Sequence, residues 1–129
     1  MKVFISGPMT GYKNYNKEAF MEAERLLIEA GYSVFNPAWL DIDILEWTST
    51  DIMAIDMAAL TCCDAIYQLQ DWEDSKGARA EYTAAVWSGK EILNRSIVME
   101  RMERNRMKKE RNFTEYLEGR NSRTEHRFW

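Results

Sequence analysis

Two short stretches of this chain hold residue types that can do chemistry at a useful spacing. The first is Ser75-Lys76-Gly77-Ala78-Arg79-Ala80-Glu81, which places a carboxylate one helical turn beyond a glycine turn. The second is Ile5-Ser6-Gly7-Pro8-Met9-Thr10-Gly11, where a buried strand runs into a glycine-bearing loop. In a parallel α/β sheet both stretches open at the same edge, where such folds bind ligands. Ser6, Gly7, Met9 and Gly11 then form a loop whose backbone can approach an anion. It is not a P-loop, because the Gly-Lys-Ser/Thr ending is missing, and its glycine spacing is not that of a dinucleotide fingerprint. Facing it, Ser75 either caps the following helix or donates to a phosphate, with Gly77 leaving backbone amides exposed.

Glu81 has Gly77, Ala78, Ala84 and Ala85 as its helical neighbours three and four residues away. A face of small residues lets the helix approach the sheet and leaves room for a ligand beside the carboxylate. An ionised glutamate there can attack an anomeric carbon or stabilise an oxocarbenium-like centre; equally, it can simply complement the helix dipole. Asp56 is the second anomaly. Ile52, Asp56, Ala59 and Leu60 share one helical face, which puts a carboxylate in an apolar stripe. Burying an unpaired charge costs several kcal/mol, so Asp56 either edges the stripe and bonds a loop or faces a polar site where it can transfer a proton. Tyr12 and Trp72 are loop aromatics able to stack on a base or to cover the sheet edge. Arg79 can pair with Asp74 or a ligand phosphate, or lie solvated.

The elements that position these residues follow from period and punctuation. Lys2–Ser6 reads as a first strand. A helix capped by Asn14 or Asn16 runs to about Ala30, with Phe20, Ala23, Leu27 and Ala30 on one face. Tyr32–Phe35 is a second strand. A loop with a helical turn at Asp41–Leu45 leads to a helix from Thr48 or Ser49 to Thr61. Asp64–Leu69 is a third strand, Gly77–Ser88 a third helix and Glu91–Leu93 a fourth strand. This alternation implies an α/β, Rossmann-like (flavodoxin-like) parallel sheet of four to five strands flanked by helices. Residues 95–129 read as a helical C-terminal extension, helical over Ser96 to about Arg111, with a thin stripe of Val98, Met99, Met102 and Met107. A second patch of Phe113, Tyr116 and Leu117 follows, and then a frayed end.

At 129 residues the chain suffices for one cored domain. Charge is uneven: residues 1–94 carry a net −8 and residues 95–129 a net +4, an acidic body with a basic appendage. That balance argues against a nucleic-acid-binding core. No apolar run is long enough for a membrane span, and the N-terminal run is too short for a signal peptide. Adjacent Cys62 and Cys63 read as small core residues in a reducing cytoplasm. The single histidine, His126, argues against a histidine triad or zinc cluster.

Together these residues resemble the nucleoside 2-deoxyribosyltransferase-like superfamily, specifically its small bacterial and phage branch, the domain of unknown function 4406. The resemblance rests on Ile5 to Gly11, Tyr15-Asn16 to Phe20, Gly31-Tyr32-x-Val34-x-Asn36-Pro37, Asp51 to Asp56, Cys63-Asp64-Ala65-Ile66-Tyr67 and Trp72 to Glu81. It implies cleavage of an N-glycosidic bond without a metal or redox cofactor. Glu81 matches the glutamate that attacks C1′, and Asp56 the aspartate that assists with the base or the sugar. Ser75 matches the serine that contacts phosphate in the branch hydrolysing 2′-deoxynucleoside 5′-monophosphates, and Ser6 and Gly7 match its first-strand loop. Phe4 stands in the region where several transferases place a tyrosine by the base. The expected ligand is a small-molecule nucleotide, bound either for cleavage or as a non-catalytic nucleotide or ADP-ribose-like signal. The basic tail replaces the family's later strand and is expected to pack on a sister subunit.

Overall fold

The computed structural model describes the backbone of residues 1–40 and 46–127 and the side chains of residues 1–40 and 46–120. Four strands, β1 (Lys2–Ser6), β2 (Ser33–Phe35), β3 (Ala65–Gln68) and β4 (Glu91–Leu93), form one parallel sheet in the order β2-β1-β3-β4. Four helices accompany them: α1 (Lys17–Glu29), α2 (Ser49–Thr61), α3 (Lys76–Trp87) and α4 (Arg95–Arg127). The anticipated helical turn at Asp41–Leu45 lies outside the described residues.

Each strand side chain faces one of two layers, because successive residues alternate across a sheet. Phe4 and Ile66 join Leu60 of α2, Cys63 and Ala85 of α3 in one cluster, with Phe35, Met57 and Ile92 against it. Val3 and Ile5, of opposite parity, face the other layer, where α1 packs on β1 and β2 and buries Phe20, Ala23 and Leu27. Ser6 has the parity of Phe4. It therefore ends β1 on the layer of α2 and α3, and this fixes where its hydroxyl points.

Local signals explain the helix starts. Thr48 accepts from Asp51 N at 3.1 Å while Asp51 Oδ2 accepts from Thr48 N at 2.9 Å, a reciprocal capping box that starts α2. Ser75 Oγ accepts from Ala78 N at 3.2 Å and starts α3. The start of α1 differs from expectation. Asn16 occupies the cap position but in a left-handed conformation without a side-chain cap bond, and its Nδ2 instead donates to Pro8 O at 2.9 Å. Asn14, Tyr15 and Asn16 are all left-handed, with φ of 51, 51 and 61°.

Met1–Val98 forms one compact unit, and the rest of α4 belongs to a second. Val98 is fully buried in the first. The helix runs without interruption to Arg127 instead of ending near Arg111. Gly119 costs such a helix about 1 kcal/mol, and ion pairs such as Arg106 to Glu103 and Glu110 offset it. Met107, Phe113, Tyr116 and Leu117 are exposed on it. No helix among the described residues is long and apolar enough to cross a membrane. Cys63 is buried as expected of a core residue, whereas Cys62, at the end of α2, is exposed; both are free thiols.

Candidate active site

Ser6, Asp56 and Glu81 converge at the carboxyl end of β1. Ser6 Oγ donates to Glu81 Oε1 at 2.7 Å, within the buried interior. The Asp56 carboxyl lies close enough to that of Glu81 for the two to shift each other's ionisation. Glu81 is 5% exposed and Asp56 7%. The local reasons are simple. α3 approaches the sheet through Ala78 and Ala85, both buried, and Glu81 lies between them on the same face. Asp56 lies one turn before Leu60, on the buried face of α2, and α2 packs against α3.

Two carboxylates in this setting cannot both ionise cheaply. Burial pushes Glu81 up to about 8; the Ser6 hydrogen bond opposes the shift and the Asp56 charge adds to it. Burial also raises Asp56, to about 6, with Glu81 pulling it back. Both carboxyls are thus pushed above the ordinary range, and the pair favours keeping a proton between them.

Gly7 follows Ser6 for a steric reason. A Cβ there would sit 2.7 Å from Cβ and Cδ1 of Leu69, closer than any side chain tolerates. The strand ends β1 and β3 are clamped together at this point, with Leu69 N donating to Ser6 O at 2.9 Å. Beyond Gly7 the loop turns at Met9, whose carbonyl accepts from Tyr12 N at 3.2 Å, and Gly11 takes a left-handed φ of 85°. Ser75 and Gly77 open α3, the helix that carries Glu81. A Cβ at Gly77 would meet Met53 Cε at 3.4 Å. Arg79 lies exposed on α3, the solvated alternative, and its Nη1 donates to Glu73 O at 2.7 Å.

The aromatic candidates separate. Phe4 is 0% exposed and stacks on Phe35 with ring centroids 5.7 Å apart, so it is core and has no face for a base. The period-two pattern of β1 turns it into the α2–α3 layer. Trp72 and Tyr12 instead line a cavity of about 630 Å³ at the strand ends, beside Asn16 and Glu22 on the α1 side and Tyr67, Gln68 and Arg95. Trp72 is held by Tyr82, with centroids 4.6 Å apart. None of Ser6, Asp56 and Glu81 belongs to that lining. Gln68 does, and sequence reasoning passed over it. It is also the register partner of Ser6 across β1 and β3. Among the described residues, no group of three or more His, Cys, Asp or Glu is placed to hold a metal ion.

A four-stranded parallel sheet of order 2-1-3-4, with a buried carboxyl pair at its carboxyl edge, defines an α/β protein of the doubly wound kind. Residues 1–94 match the domain of unknown function DUF4406, and the chain belongs to that family. Among solved structures it is similar to a 2-deoxyribosyltransferase from the psychrotolerant bacterium Bacillus psychrosaccharolyticus. Identity is 22% and the TM-score 0.57, over 73% of this chain and 71% of that one. At that identity the likeness is one of fold. No curated protein matches the chain.

Proposed function

We propose that this protein cleaves the N-glycosidic bond of a nucleoside 5′-monophosphate, by hydrolysis or deoxyribosyl transfer, with Glu81 as nucleophile and Asp56 as proton donor. The observation that carries the reading is the buried cluster at the sheet edge, where Ser6 Oγ bonds Glu81 and the Asp56 carboxyl lies buried beside it. The proton Glu81 must lose to become a nucleophile is the proton a leaving base must gain, and Asp56 stands next to Glu81 to relay it. In the first step a Glu81 oxygen bonds to C1′. The C1′–N bond breaks with its electron pair on the base, and the shared proton passes through Asp56 to the base. In the second, water adds to C1′, its proton returns to Asp56, and the Glu81 carboxylate departs; a second base replaces water in transfer. No step calls on a metal or redox cofactor.

Phosphate fits at the start of α3. The Ser75 hydroxyl accepts from Ala78 N and keeps its own hydrogen to donate, so capping and phosphate binding are compatible. Glu81 is the sixth residue after Ser75, a helical rise of roughly 9 Å, which leaves room for a pentose. The Ser6–Gly7 loop, with Met9 and Gly11, closes the other side, and Tyr12 and Trp72 take the base. The fold shared with a 2-deoxyribosyltransferase supports the same reaction class. In this reading residues 1–94 are the nucleotide-handling domain and residues 95–129 an appended helix. The exposed Phe113, Tyr116 and Leu117 of that helix support packing on a second copy. Phe113→Ser with Leu117→Ser in the full chain should lower the sedimenting mass, and an unchanged mass refutes that contact.

The test of function is chromatography of the pure protein with a panel of ribo- and deoxyribonucleoside 5′-monophosphates, with Glu81→Ala as control. Free base from the wild type alone is the expected result; equal turnover by the variant refutes the assignment. A second reading, capture of an intact nucleotide or ADP-ribose-like ligand, is favoured by one observation: a protonated Glu81 is a poor nucleophile. A ligand that raises Tm yet survives long incubation would select it.

A further inference from the structure

Among the described residues, two buried side-chain polar atoms lack any hydrogen-bond partner: Asp56 Oδ1 and Gln68 Nε2. Such atoms are rare in folded proteins, because leaving a buried donor or acceptor unpaired forfeits its hydration without return. The Asp56 oxygen belongs to the carboxyl pair. The Gln68 amide nitrogen has no role in the reaction as written above, yet it occupies a singular place. Gln68 ends β3 directly across from Ser6, the residue that bonds Glu81, and adjacent parallel strands lie only about 4.8 Å apart. It also lines the cavity that holds Tyr12 and Trp72. It thus joins the cavity wall to the strand position beside Ser6, and it carries a side-chain donor there.

We propose that Gln68 is a substrate-reading residue: its carboxamide donates to the acceptor atom next to the glycosidic nitrogen of a base lodged in the Tyr12–Trp72 cavity. The inference rests on the nucleotide reading above. It assigns the free donor to the one kind of atom every standard base offers at that point, N3 of a purine or O2 of a pyrimidine. As the C1′–N bond breaks, its electron pair spreads onto that atom, so a fixed donor there gains strength in the transition state. A leucine would fill the position more stably in the empty protein; the amide is useful only when a ligand arrives.

The experiment compares wild type with Gln68→Leu and Gln68→Met, using 2′-deoxyadenosine 5′-monophosphate and its 3-deaza counterpart, which lacks the acceptor. For a pyrimidine-selective protein the pair is 2′-deoxyuridine 5′-monophosphate and its 2-thio counterpart, whose sulfur accepts poorly. Two results are expected. The variants should match or exceed the wild-type Tm without ligand, because an orphaned amide is gone. Their kcat/KM should fall about 10–100-fold on the natural nucleotide and much less on the analogue. An equal fall on both, or no fall on either, overturns the role of Gln68 while leaving the cleavage reading intact. If the wild type releases no base, cleavage itself is refuted. The same comparison is then made on the Tm rise caused by each intact nucleotide: loss of discrimination in the variants supports the contact, and its retention overturns it.

Discussion

Replacing Glu81 with glutamine should make the fold more stable in alkaline solution while abolishing any chemistry the carboxylate performs. The amide preserves size and the Ser6 bond, because its carbonyl accepts from Ser6 Oγ. What it removes is the obligation to ionise inside the protein. Burial lifts the Glu81 carboxyl from an ordinary 4.5 to about 8, so across that window the folded state holds a proton the unfolded chain has released. Stability from this group is complete below the unfolded value and is lost as pH rises towards the folded one. Each pH unit in the window removes roughly 1–2 kcal/mol, or on the order of 2–3 kcal/mol between pH 6 and 8. For a chain of this size that corresponds to roughly 10 °C in Tm. Thermal denaturation of wild type and Glu81→Gln, followed by circular dichroism from pH 6 to 8, measures it. The gap in Tm should widen with pH in favour of the variant; a constant offset would refute the buried, proton-sharing pair.

The same pair sets a pH profile for catalysis. Activity requires one proton on the pair, so kcat/KM should rise with an apparent pKa near the Asp56 value of about 6 and fall near the Glu81 value of about 8; a flat profile from pH 5 to 9 would exclude the pair as acid and nucleophile. Ser75→Ala should cost about 1 kcal/mol of stability through the lost helix cap and, separately, raise KM for a nucleoside monophosphate more than for the corresponding nucleoside. A uniform rise for both would place the phosphate elsewhere. Gly7→Ala should destabilise by about 1–3 kcal/mol in urea titration, because the new methyl meets Leu69 at 2.7 Å; an unchanged midpoint would mean the strand ends separate freely.

Much of the site was legible because polar residues broke otherwise apolar patterns. Asp56 betrayed itself by falling in register with Ile52 and Leu60, and Glu81 by its setting of glycine and alanines. The succession of strands and helices followed from the alternation of periods two and 3.6. Gln68 gave no such signal. It is the last residue of a four-residue strand, where a polar side chain reads equally as the start of the loop, and only the pairing of Gln68 with Ser6 reveals its neighbour. Phe4 was misassigned because an aromatic in the first strand satisfies both a base-stacking and a core role; strand parity, set by packing across the sheet, decides for the core. α1 does start after Asn16, one of the two residues read as its cap, but Asn16 makes no side-chain cap bond. Asparagine tolerates left-handed backbone as well as it caps helices, and the turn from Pro8 to Asn16 uses the first property.

The clamp between Gly7 and Leu69 divides the labour of the molecule. Ser6, Asp56 and Glu81 stand on a strand and two helices knit into the core, whereas Tyr12 and Trp72 stand on the connecting loops. Loops accept sequence change that core elements refuse. On the proposed function, base preference therefore changes by rewriting Tyr12 and Trp72 while the carboxyl pair stays as it is. For an engineer this means a library confined to those two loop positions should sample new substrates without spending variants on broken chemistry.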